Sequence, residues 1–168
     1  MPLTDFELLP SKARLWVFGT SRSLSSDEES TLLSEVDEFL DGWKAHGSPL
    51  TAARDWRYGR LLLVAVDERS VPPSGCSIDA MVHVLKGLEA RLGMTLVDNA
   101  PVWFSLGGEP RRATRPEFSE LAKMGEVGPD TTVFDSSVTR VADVREGRWE
   151  VAASETWMKQ AFFSTPPV

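Results

Sequence analysis

Arg60-Leu61-Leu62-Leu63-Val64-Ala65-Val66-Asp67 decides the fold, because it is the most apolar run in the chain and has the length of a strand. A near-continuous apolar run is typical of a central strand that is covered on both faces. Tyr58-Gly59 stands directly before it and is typical of a tight turn. Together with residues 50–56, these patterns predict an antiparallel hairpin.

Two helices and a further strand surround this hairpin in the sequence. Residues 14–19 form a short apolar run that ends in glycine, which predicts a buried strand. A helix is predicted over about residues 26–46, since Ser25 with Glu28, or Ser26 with Glu29, has capping-box spacing and a glycine follows the helix. A second helix follows the loop over residues 71–75 and ends at Gly93. The apolar stripes of the two helices are Leu32, Val36, Phe39, Leu40 and Trp43, then Ile78, Met81, Val82, Leu85, Leu88 and Leu92.

The order of these elements predicts an α+β fold. Strand candidates over residues 94–97 and 102–106 complete the order strand, helix, strand, strand, helix, strand. This βαββαβ order is typical of a ferredoxin-like antiparallel sheet of four strands, with both helices on one face. The first and third strands are then expected to be central, which agrees with their being the most apolar ones. Residues 1–106 are therefore predicted to form a ferredoxin-like core.

Residues 107–168 are predicted to be a helical C-terminal extension that packs on the open face of the sheet and is not an independent domain. A short helix is expected from Arg115-Pro116-Glu117 to about Met124, since proline is tolerated in the first turn. Ser154 is expected to cap a last helix through Phe162. Residues 131–152 fit a helix loosely, and their valines and threonines also suit strands, so both alternatives stay open. The extension is rich in aromatic residues: Trp149, Trp157, Phe162 and Phe163.

Composition narrows the classes of partner. The net charge of −7 argues against binding to nucleic acid or to an anionic membrane, because phosphate contacts need clustered Lys and Arg. The densest basic group, Arg111, Arg112 and Arg115, is too short to reverse that view. A single cysteine cannot form an internal disulfide, and no signal peptide or membrane-spanning run is evident. A cytoplasmic location is therefore expected. Six tryptophans predict an aromatic-rich core or interface.

The one cysteine lies in a turn that opens the second predicted helix, Ser74-Gly75-Cys76-Ser77-Ile78-Asp79. Free N–H groups in a first helical turn can hold an anion or stabilise a thiolate. This hypothesis takes Ser74, Gly75, Cys76, Ser77 and Asp79 as ligand-binding residues and Cys76 as a nucleophile. The carboxylate of Asp79 would oppose a thiolate in the same turn. The alternative is a small buried cysteine with a serine as the helix cap.

The two histidines add little chemistry. His46 is the candidate base for Cys76, but a histidine that caps the first helix is the more common arrangement. In a ferredoxin-like sheet these two sites are expected at opposite ends. His83 lies one turn from Asp79, as in an ordinary contact on a helix surface. No metal site and no cofactor are predicted. The chain also lacks a phosphate-binding P-loop, so a P-loop nucleotidase is excluded.

Four phrases carry a resemblance to a known family. They are Trp43-Lys44-Ala45-His46-Gly47-Ser48-Pro49-Leu50, Leu63-Val64-Ala65-Val66-Asp67-Glu68, the cysteine turn at residues 74–79, and Ser154-Glu155-Thr156-Trp157. The chain resembles a family of small uncharacterised bacterial proteins found mostly in Bacteroidetes-like lineages. Members are sometimes labelled as an ABC transporter ATPase, which the missing P-loop rejects here. The resemblance implies a bacterial intracellular protein without an established activity.

These observations favour a non-enzymatic binding or interaction domain that forms a homodimer or takes a protein partner. The alternative function is a small-molecule or anion-binding protein, or a thiol enzyme, at the Cys76 turn.

Overall fold

A computed structural model describes residues 3–164. Its strands are β1 (Arg14–Gly19), β2 (Lys44–Ala45), β3 (Ser48–Pro49), β4 (Thr51–Arg57), β5 (Leu61–Asp67), β6 (Val102–Leu106), β7 (Glu109–Ala113), β8 (Thr132–Phe134) and β9 (Glu150–Ala152). Its α-helices are α1 (Ser26–Asp41), α2 (Gly75–Leu92), α3 (Arg115–Lys123), α4 (Val141–Arg145) and α5 (Met158–Phe162), and 3₁₀ turns cover Phe6–Leu8 and Ala153–Glu155. All sheets are antiparallel, which confirms the mixed α and β class.

The chain forms two compact units. The first unit contains the chain up to Asp98 together with Thr139–Ala142, and the second contains Asn99–Val138 and the chain from Asp143 onward. β6 therefore belongs to the second unit, and the boundary predicted at residue 106 lies earlier in the structure.

The sheet of the first unit has the order β1-β5-β4. β5 is central and every one of its residues is buried, as the apolar run predicts. The predicted hairpin is confirmed, since β4 and β5 pair from Thr51 opposite Asp67 to Arg57 opposite Leu61. Its turn holds Tyr58 at φ 59° and Gly59 at φ 66°, the left-handed region that a glycine adopts without strain.

The fourth strand of the ferredoxin-like prediction is not in this sheet. β6 pairs instead with β7 and β8, so the sheet has three strands and β1 is an edge strand rather than a central one. Two backbone hydrogen bonds are made outside the sheet, one within β1 and one two residues beyond its end. Ser21 N–H donates to Thr95 O, and Leu15 N–H donates to Thr139 O, each at 2.9 Å. Residues 94–97, the other segment predicted to be a strand, form no strand in the structure.

Both helices of the first unit begin at the predicted caps. Ser25 and Glu28 form a capping box at α1, and Ser74 caps α2, which ends at Gly93 in the left-handed conformation (φ 64°). The helices contribute apolar stripes to one core with the sheet. The buried residues of these stripes are Leu32, Val36 and Leu40 in α1 and Met81, Leu85 and Leu88 in α2.

The first helix is shorter than predicted, because it ends at Asp41 and not near residue 46. The residues that follow form the small β2–β3 hairpin, whose two-residue turn holds His46 at φ 50° and Gly47 at φ 79°. A glycine in this region suits a tight hairpin turn as well as a helix stop, so the local pattern fits both structures. The bond from Leu50 N–H to Trp43 O (2.9 Å) closes the hairpin.

The second unit corrects the prediction of a helical extension. It contains a four-stranded sheet of order β7-β6-β8-β9. Its own apolar cluster includes Val102, Phe104, Phe118, Val133 and Met158. Residues 131–152 hold strands β8 and β9 with helix α4 between them, so both open alternatives occur.

Both helices predicted in the extension occur, and the second is shorter than predicted. Thr114 and Glu117 form a capping box at the start of α3, with Pro116 in its first turn. Ser154 does not cap the last helix, because it lies inside the second 3₁₀ turn, and α5 begins after Trp157.

Candidate functional site

The cysteine turn uses the hydroxyl of Ser77 within its own capping contacts. Ser74 N–H donates to Ser77 Oγ (2.7 Å), and the Ser77 hydroxyl donates to Ser74 O (2.8 Å). Ser77 N–H in turn donates to Ser74 Oγ (3.1 Å). Ser77 is also buried. Its hydroxyl is therefore not available to a ligand, contrary to the expectation that both serines supply donors.

Cys76 and its neighbours are accessible. Cys76 is a free, exposed thiol, and Gly75 and Asp79 are also exposed. Because the thiol is exposed, the alternative of a buried structural cysteine is wrong. Within residues 3–164 the thiol also makes no hydrogen bond. The N–H groups of Gly75 and Cys76 are the ones that the cap leaves for an anion.

The hairpin that carries His46 is fastened to the start of α2. Buried Trp43 donates its indole N–H to Ser77 O at 2.8 Å and packs against Trp16 and Phe39. The β2 strand contacts α2 as a result. The expected separation of the His46 and Cys76 segments is therefore wrong. His46 is exposed in the hairpin turn, and no described hydrogen bond joins it to Cys76.

The remaining titratable candidates are engaged in ion pairs or exposed. Arg69 binds Asp67 at 2.8 Å, and this hydrogen bond lowers the pKa of the Asp67 carboxyl below its ordinary value. Arg140 lies 3.0 Å from Glu68. His83 is exposed on α2. Among residues 3–164, no group of three or more His, Cys, Asp or Glu side chains is placed to hold a metal ion.

A groove of about 490 Å³ lies in the first unit, away from the cysteine turn. Arg54 and Asp37 line it and form a bidentate pair with bonds of 2.7 and 2.9 Å. This pair raises the pKa of Arg54, and each charge satisfies the other. The remaining lining residues are Leu3, Thr4, Asp5, Phe6 and Leu8.

An aromatic row crosses the second unit from its core to its surface; its members are Phe104, Phe118, Phe162 and Trp157. Successive ring centroids lie 5.2, 4.9 and 5.8 Å apart. Phe118 is fully buried, whereas Trp157 is 42% exposed. The row therefore holds a large exposed ring on a buried support.

Arg115 extends this row into solvent. Its guanidinium carbon lies 4.8 Å from the centre of the Trp157 ring, which is a cation–π contact. Arg111 is also exposed, and it pairs in register with Phe104, so its side chain lies on the same face of the sheet as the row. We call Arg111, Arg115 and Trp157 the Arg–Trp surface.

Sequence reasoning noted the members of the Arg–Trp surface but not their association. In the sequence, Arg111 and Arg115 belong to an isolated basic group, and Trp157 belongs to an aromatic extension. The signals in the sequence are the basic group around Arg111 and the aromatic residues of the extension, but 42 positions separate Arg115 from Trp157. Only folding brings them together.

Comparisons with family models, curated proteins and solved structures found no match. Among the described residues, no helix is both long and apolar enough to span a membrane.

Proposed function

We propose that this protein is a non-enzymatic binding protein that takes a protein partner on the Arg–Trp surface. The observation that supports the proposal is Trp157, a large ring that is 42% exposed and lies between Arg115 and Phe162 of the aromatic row. Tryptophan and arginine are the residues that most often dominate the free energy of protein interfaces. An exposed ring with this support is already ordered, so binding loses little side-chain entropy.

The net charge of −7 favours a protein over a nucleic acid as this partner. A second copy of the chain is the first partner to test, by light scattering across micromolar concentrations. A strict monomer would remove the second copy from consideration and leave a different protein as the partner.

A peptide selection tests the binding function directly. Random dodecapeptides displayed on phage are selected on the wild-type protein and then measured against Trp157→Ser. We expect the selected peptides to lose at least about tenfold in affinity for this variant, as for an interface hot spot. Met124→Ala is the matched control, because Met124 is an apolar residue of the same unit that is 67% exposed. The affinity of the selected peptides for this variant should equal their affinity for the wild type. Equal binding to wild type and Trp157→Ser would contradict the proposal.

Thiol chemistry at Cys76 is the second candidate function, and the exposure of this thiol favours it. We expect one equivalent of a thiol-specific disulfide reagent to react with the native protein, because no part of the described chain covers Cys76. Cys76→Ser is the control and should not react. If labelling needs denaturant, both the thiol-enzyme alternative and the exposed placement of Cys76 are wrong.

A further inference from the structure

We infer that the Arg–Trp surface recognises a carboxylate side chain that stands next to an apolar residue in a partner segment. This inference rests on the proposed binding function and names the chemistry of its partner. Three features of the second unit carry it: the unpaired guanidinium of Arg115, the local arrangement of charges and the apolar ring beneath.

The guanidinium of Arg115 is positioned but not paired. It stacks on Trp157 at 4.8 Å, and within residues 3–164 it makes no hydrogen bond or ion pair. A cation–π contact uses no N–H group of the guanidinium as a hydrogen-bond donor to an oxygen, so these donors are available to a ligand. They form a planar fork that matches a carboxylate through two parallel hydrogen bonds.

The nearby carboxylate on α3 is engaged in the helix cap. Glu117 accepts a hydrogen bond from Thr114 N–H at 3.1 Å in the capping box. Its bonds with Thr114 are the main cause that lowers the pKa of Glu117, with a smaller contribution from the charge of Arg112. Arg111 adds a second exposed cation on the same face of the sheet, and it has no ion pair in the described chain. The Arg–Trp surface therefore carries two exposed cations without an ion pair in the described chain, in a protein of net charge −7.

The ring beneath the guanidinium selects the neighbour of the carboxylate. The exposed part of Trp157 offers apolar area beside the fork, which an aliphatic or aromatic side chain of the partner can cover. Excluding water from the ion pair strengthens it. A long polyanion such as a nucleic acid gains less, because the remainder of this acidic protein repels it.

Two fluorescent synthetic peptides test the inference by anisotropy: Glu-Leu-Glu-Phe-Glu-Leu and its counterpart with glutamine for each glutamate. We expect the glutamate peptide to bind the wild-type protein at least about tenfold more tightly at low salt, as charge-assisted pairing implies. Arg115→Gln should remove this preference. Arg115→Lys should restore only part of it, since lysine keeps the charge without the fork. Lys123→Gln, an exposed cation at the other end of α3, is the matched control and should leave the preference unchanged.

The outcomes separate this inference from the proposed function. Equal binding of the two peptides, or full binding of the glutamate peptide to Arg115→Gln, overturns carboxylate recognition. If neither peptide binds the wild type, the inference is also wrong. In all of these cases the proposed binding function stands as long as the affinity of the phage-selected peptides still falls in the Trp157→Ser variant. Equal affinity for an oligo-dT strand would show general anion binding and overturn the inference as well.

Discussion

Replacing Phe118 by alanine lowers the free energy of unfolding by about 3–5 kcal/mol, the cost of removing a buried phenylalanine side chain. Phe118 is fully buried and contacts three other rings, those of Phe104, Phe162 and Phe163. Phe104 belongs to β6, and the other two rings lie in α5 and directly after it, so these elements can close the cavity only in part. Urea unfolding followed by circular dichroism measures the change.

Met124→Ala is the control for this prediction. Met124 lies directly after α3 and is 67% exposed, so its truncation should change stability by less than about 0.5 kcal/mol. Similar effects of the two substitutions would mean that Phe118 is not the centre of the second unit's core. Phe118→Ala should also lower the affinity of the protein for the peptides selected on the wild type, because Phe118 packs on Phe162 and Phe162 packs on Trp157.

Replacing Trp43 by alanine is expected to cost about 3–5 kcal/mol in the first unit. The side chain is buried, packs on Trp16 and Phe39, and bonds to Ser77 O. Trp43→Phe keeps most of the packing and removes the hydrogen bond, so it should cost about 1–3 kcal/mol. The difference between the two variants separates packing from hydrogen bonding. Urea unfolding, together with the near-ultraviolet circular dichroism of the ring cluster, provides the measurement.

Lys44→Ala is the matched control, since Lys44 is the next residue in the chain and is exposed. Its effect should remain within about 0.5 kcal/mol. A loss below about 1 kcal/mol for Trp43→Ala would contradict the structure, because it would mean that this ring does not hold the hairpin to α2. A Trp43→Phe variant as unstable as Trp43→Ala would show that the hydrogen bond, and not packing, carries the effect.

Predictions from sequence succeeded where short-range physics decides the outcome. The caps at Ser25 and Ser74 depend on contacts between residues three positions apart, so the local pattern is sufficient. The β4–β5 hairpin follows in the same way from its turn at Tyr58 and Gly59. The predicted C-terminal end of the first helix lies too late in the chain, because Gly47 suits a helix stop as well as a hairpin turn.

The candidate site was predicted in part. The position of Cys76 at the start of a helix is local and is confirmed, whereas its exposure depends on what packs around the turn. The bond from Trp43 to Ser77 spans 34 positions, and it brings the His46 hairpin to the helix start that the predicted fold kept apart from it.

By itself, the sequence determined β1, the β4–β5 hairpin, α2 and the starts of α1 and α3, because caps, turns and apolar periodicity act over a few residues. Leu61–Asp67 is the clearest case, since only a strand covered on both faces tolerates such a run. Outside the β4–β5 hairpin, the tertiary structure alone decided which strands pair, because an apolar strand such as Val102–Leu106 satisfies its backbone equally well beside any suitable edge. It also decided that Arg115 lies on Trp157, and this long-range contact carries the proposed function.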